Sequence, residues 1–154
     1  MRRHLVLALC AVMATATQAS AYLQLSSTVA GGVKSIKWGR SPVRWFSTNA
    51  SAPGVTAAQF QQTMNAAFGT WEAVPTADIA FQFAGFTGAP PGEDDGLSVL
   101  GFEGHDDLDR TLAATGFSID IITGSIIESD VFFNTAFDWS VSGAATAFDL
   151  QSVA

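Results

Sequence analysis

The chain has 154 residues, with seven basic and fourteen acidic side chains and a formal net charge of −7 at pH 7. That length suits one domain with a core of its own, and the acidic balance disfavours nucleic acid and anionic lipid as partners. A single cysteine, Cys10, excludes an intramolecular disulfide framework.

The chain begins with Arg2 and Arg3, an apolar run from Leu5, and Ala19-Ser20-Ala21 as a small-residue cleavage site. This is the pattern of a secretory signal peptide over residues 1–21, with cleavage expected before Tyr22. The apolar run is shorter than the roughly 18–20 residues a membrane span requires. A secreted protein, extracellular or periplasmic and with no membrane attachment after cleavage, is therefore expected. Cleavage removes two basic residues and Cys10, which takes the mature chain from −7 to −9 and leaves no thiol for catalysis or metal binding. Residues 22–37 are rich in Ser, Gly and Ala and predict a flexible lead-in. The domain proper is expected over 38–154.

Pro42 to Thr48 predicts the first strand, with Val43 and Trp45 reaching the core. Ser51-Ala52-Pro53-Gly54 predicts a turn. Thr56 and Gln59 then form a T-x-x-Q capping box at the start of a helix. Within that helix Phe60, Met64, Ala67, Phe68 and Trp71 recur at helical spacing, as one apolar stripe packed on a sheet requires. Ile79, Phe81 and Phe83 alternate in a second strand, Gly88 to Gly96 is a loop with three adjacent acids, and Leu97 to Phe102 predicts a third strand. Leu112-Ala113 is followed by a strand through Phe117 to Ile121 and a turn at Thr123-Gly124.

In the next strand Ile127, Val131 and Phe133 alternate with Glu128, Asp130 and Phe132 up to Asn134. Trp139 anchors the following loop, being too large and apolar to leave in water. Phe148, Asp149 and Leu150 open an amphipathic helix with an acid where the dipole favours one. A helix commonly runs about 8–20 residues, so the pattern is expected to continue past Ala154. This order of elements predicts an α+β domain: one mixed twisted sheet with a long helix packed on it, and a second helix cut short.

The strand ending Asp130-Val131-Phe132-Phe133-Asn134, the loop carrying Trp139 and the helix opening FDLQSVA resemble the secreted matrixin-type zinc metalloproteases, a branch of the metzincins. The similarity spans roughly Trp38 to Ala154 and includes TWEAVPTADIAFQF, similar to the family's long helix ending in Trp and followed by a strand. It implies a zincin-like fold and zinc-dependent endopeptidase activity on extracellular protein or peptide. The H-E-x-x-H-x-x-G-x-x-H motif that holds the family's zinc would follow Ala154, so this chain would be an inactive fragment alone and the full-length protein a monomer. The resemblance places Leu112, Ala113 and Ala114 on the edge strand that pairs with an extended substrate, a binding mode that relies on backbone groups. Many matrixins also carry a structural zinc held by histidines. At two of those places this chain has Ala114 and Phe132, and only His105-Asp106-Asp107 keeps an H-x-D spacing, so that zinc is expected to be absent.

Calcium takes six to eight oxygens. Asp106, Asp107 and Asp109 are its candidate ligands, with Asp94 and Asp95 as further loop acids, although charge runs are more often solvated faces. His105 is the sole histidine after cleavage, too few for a zinc hydrolase with three protein ligands and a carboxylate base. No G-x-S-x-G elbow is present, and nothing selects a glycosidase carboxylate pair. The alternative to the protease is a secreted, non-catalytic module that binds a peptide or a surface.

Overall fold

The computed structural model describes residues 25–29 and 31–154; the expected signal peptide therefore lies outside the described residues. Among the described residues the elements are, in order, β1 (Ser26–Val29), β2 (Gly32–Ser35), β3 (Lys37–Trp38), β4 (Val43–Thr48), α1 (Ala57–Glu72), β5 (Phe81–Thr87), β6 (Val99–Glu103), β7 (Ala113–Ile119), β8 (Ser125–Asn134), β9 (Trp139–Ser140), β10 (Phe148–Asp149) and α2 (Leu150–Val153). The Ser- and Gly-rich lead-in carries an antiparallel hairpin, β1 with β2, and β3 joins the main sheet beside β8. The expected flexible lead-in over 22–37 is thus, in its described part, largely paired strand.

The chain is mixed α/β, with one six-stranded sheet that is mostly parallel. Strands β5, β4, β6 and β8 lie side by side and parallel, and β3 pairs parallel with the start of β8. On the far side of β8, β7 runs antiparallel, from Ala113 opposite Phe133 to Ser118 opposite Glu128. The expected strand at 117–121 and the Leu112-Ala113 segment thus belong to one run, which begins at Ala113 and ends at Ile119.

Helix α1 starts as its sequence requires. The Gln59 amide donates to Thr56 Oγ1 at 3.3 Å and the Thr56 amide donates to Gln59 Oε1 at 3.0 Å, so two otherwise orphaned donors are satisfied reciprocally. Phe60, Met64 and Ala67 are buried against the sheet. Phe60 packs on Phe102 and Phe133 at ring separations of 5.0 and 5.3 Å, and Phe68 stacks on Phe81 at 4.2 Å. The stripe stops there: Trp71, one turn further, is 60 % exposed.

Trp139 and Leu150 complete the same core. The Trp139 indole donates to the Asn134 carbonyl at 2.8 Å, which satisfies the one polar atom its burial would strand. Short strands β9 and β10 pair parallel and bring Phe148 beside Trp139. Asp149 then caps α2, accepting from the Ser152 amide at 3.0 Å.

Strand β8 departs from a simple inside–outside pattern. Phe133 faces the α1 side, as expected, but Ile127 is 45 % exposed whereas Glu128 and Asp130 are only 4 % and 7 % exposed. The reason is the loop between β5 and β6, which covers the sheet face opposite α1. Asp130 accepts from the amides of Gly92 (2.6 Å) and Val99 (2.8 Å), and Glu128 accepts from the Gly96 amide. On that face β6 and β4 also come close, since a Cβ added at Gly101 would collide with the Thr48 side chain.

Candidate functional site: an open strand edge beside an apolar cavity

Among the described residues strand β7 lies at the edge of the sheet. The Asn134 amide donates to the Leu112 carbonyl at 2.8 Å, which makes residues 112 and 134 a hydrogen-bonded pair. Antiparallel ladders alternate, so the backbone groups of Ala113, Thr115 and Phe117 point away from β8, toward the open side. Thr115, Gly116 and Phe117 are exposed. The edge carries no proline, and most of its side chains are small, so little obstructs another strand from pairing there.

Beneath the start of this edge is a cavity of about 560 Å³. Leu112, Ala113 and Ala114 line it together with Met64 and Phe68 of α1 and with Val153 and Ala154. The three residues assigned to peptide binding thus meet at one concave, mainly apolar site, the usual form of a ligand pocket. Arg110 lies at its rim and supplies a cation among the lining residues.

The residues at the expected structural-zinc positions also come together. Ala114 and Phe132 are register partners across β7 and β8. The His105 ring packs on Phe132 with ring centres 4.1 Å apart, and its Nε2 lies 3.1 Å from Glu103 Oε2. Phe132 thus has Ala114 as its register partner and the His105 ring against its own. Among the described residues no three His, Cys, Asp or Glu side chains are grouped so as to hold a metal ion. With its one histidine engaged in this way, the described part of the chain does not fit a catalytic zinc.

The calcium candidates Asp106, Asp107 and Asp109 are exposed on the loop between β6 and β7 and form no such group. A different set of acids is brought together instead. Glu128 and Asp130, with Glu93 and Asp94 of the covering loop, line a small cavity of about 120 Å³ that also includes Ser118. Ser118 Oγ donates to Asp94 Oδ1 at 3.0 Å and lies 3.4 Å from Glu128 Oε1. Burial pushes the Glu128 carboxyl up from its ordinary value and the nearby Asp94 and Asp130 add to the rise, against the Gly96 amide, which favours the charged form. Asp95 stays outside this cluster and accepts from the Leu97 amide at 2.9 Å within its own loop.

No family model, no curated protein and no solved structure matches the chain. The site's character therefore rests on its own geometry. An unpaired edge and an adjoining apolar cavity can bind an extended chain by main-chain pairing while a side chain enters the cavity. Sequence reasoning missed the Glu128–Asp130 pair and Asn134. The i, i+2 spacing of the two acids opposite an acidic loop was the available signal for the first. For Asn134 there was none, because the carbonyls its Nδ2 meets lie 23 to 29 residues away in the chain.

Proposed function

We propose that this chain forms the peptide-binding half of a secreted zinc metalloendopeptidase of matrixin type. An extended substrate adds to β7 as a further strand, anchored along Ala113, Thr115 and Phe117, and a side chain of the substrate enters the cavity lined by Leu112, Ala113 and Ala114. The observation that carries this reading is the open antiparallel edge beside an apolar cavity that is also lined by Val153 at the end of α2. Two further features support it: the mixed sheet with one long helix packed on a single face, and the pairing of Ala114 with Phe132, which His105 contacts. A zincin-like fold is part of the same proposal.

The residues at hand bind and orient a peptide. They supply no ligand set for zinc, and no cleavage step is derived from them. In this reading the zinc ligands and the catalytic carboxylate come from a continuation of α2 beyond Ala154. The coding sequence past the Ala154 codon tests this part: an H-E-x-x-H within the next few codons is expected, and a stop codon there would refute the protease.

The same edge favours a second reading, because backbone pairing needs no catalyst. In that case the chain is a secreted, non-catalytic module that holds an extended peptide. Peptide binding at β7 together with a stop codon would select it.

A further inference from the structure

Asn134, at the end of β8, is fully buried, and its side chain occupies an unusual place. Its Nδ2 faces three main-chain carbonyls of the loop between β6 and β7: His105 at 3.0 Å, Leu108 at 3.2 Å and Thr111 at 3.2 Å. Its Oδ1 accepts from the amides of His105 (3.1 Å) and Ala136 (3.0 Å). Its own backbone takes up the Leu112 carbonyl and the Trp139 indole. One side chain thereby joins the whole loop to β8 immediately before Leu112 enters β7.

A carboxamide nitrogen carries only two protons, so three carbonyls share two donors. Several hard oxygens converging on one point is the arrangement in which a protein ordinarily holds a divalent cation. The loop also displays Asp106, Asp107 and Asp109, all exposed. We propose that the Asn134 carboxamide does the work of a bound cation here and is the positioning residue of the β7 edge. It gathers the carbonyls of His105, Leu108 and Thr111 and so fixes the direction in which Leu112 to Ala114 enter the strand. Its bearing on peptide binding rests on the edge reading above; the fastening itself does not.

Aspartate at this position is nearly the same size but has no proton to donate. Asn134→Asp sets a carboxylate against three carbonyl oxygens, an arrangement that holds only if a cation fills the centre. Amide hydrogen exchange on the full chain tests this. In Asn134→Asp, exchange over residues 106–114 is expected to accelerate by about tenfold or more. Millimolar calcium, typical for weak oxygen sites, is expected to restore protection. Asn134→Ala is expected to lose protection without calcium rescue, and the unmodified protein to be unaffected by calcium or by a chelator.

Undiminished protection in Asn134→Asp without calcium, absence of rescue, or a calcium response in the unmodified protein would each overturn the proposal. Should the variants fail to fold, the side-chain NH₂ protons of Asn134 in the unmodified protein decide it: slow exchange supports the fastening and free-amide exchange refutes it. Calcium rescue without any peptide binding to the unmodified protein would sink the edge reading alone. Peptide binding without rescue would sink this proposal alone.

Discussion

The two faces of β8 are covered by opposite chemistry. On one, Phe133 meets Phe60 of α1 and Trp139 in an aromatic cluster with ring separations of 5.3 and 5.5 Å. On the other, Glu128 and Asp130 are buried under a loop and bonded to its amides. The apolar side depends on area removed from water and tolerates changes that conserve volume. The polar side contributes little net energy per bond, yet a buried carboxylate or amide left unmatched is costly. Its bonds therefore define where the loop sits more than how strongly the domain holds together.

Substitutions on the two faces should separate these roles. The largest loss is expected at Phe133→Ala, about 3–5 kcal/mol by urea unfolding. Phe132→Ala, on the other face and only partly buried, is expected to cost much less. Equal losses at the two positions would mean that α1 is not the dominant cover. Asp130→Ala leaves the Gly92 and Val99 amides without their acceptor, and a loss of about 1–3 kcal/mol is expected. That loss should be accompanied by faster amide exchange in the loop before β6. A loss without loop exchange would place the effect elsewhere.

The smallest effect is a dependence on pH. The folded Glu128 carboxyl titrates above its unfolded value, so the native state binds more protons in that interval. Its contribution to stability is fully present below the unfolded value and is lost as pH rises through the folded value. Glu128→Gln should flatten this part of the melting-temperature profile. A wild-type profile that instead climbs through the interval, and is unchanged by Glu128→Gln, would contradict a Glu128 carboxyl raised by burial and by its acidic neighbours.

What could be read from the sequence follows the range of the interactions involved. The capping box and the spacing of Phe60, Met64 and Ala67 are local, and α1 starts and packs as they require. Alternation along 128–134 separates the two sides of β8 as expected, because pleating depends only on neighbouring residues, but at Ile127 the register shifts and the pattern breaks. It could not say what lies over each side. Glu128 and Asp130 are buried by residues about 30 positions upstream, and a polar residue covered from such a distance looks like a solvent-facing one. Trp71 erred in the other direction: its helical spacing is right, but its side chain at the end of α1 is left largely exposed. The edge residues Leu112 to Ala114 came from resemblance, and their place beside the cavity depends on β7 pairing to β8, a contact that alternation does not specify. The small residues of β1 and β2 carry too little apolar periodicity to signal a hairpin.

The central claim is that β7 accepts a peptide strand. It is tested most directly by titrating the chain with an extended peptide while following backbone amide resonances. Perturbation confined to Ala113, Thr115 and Phe117 and the lining of the adjoining cavity is expected, together with loss of binding when alternate peptide nitrogens are methylated. Binding that ignores methylation, or perturbation centred away from β7, would contradict strand addition at this edge.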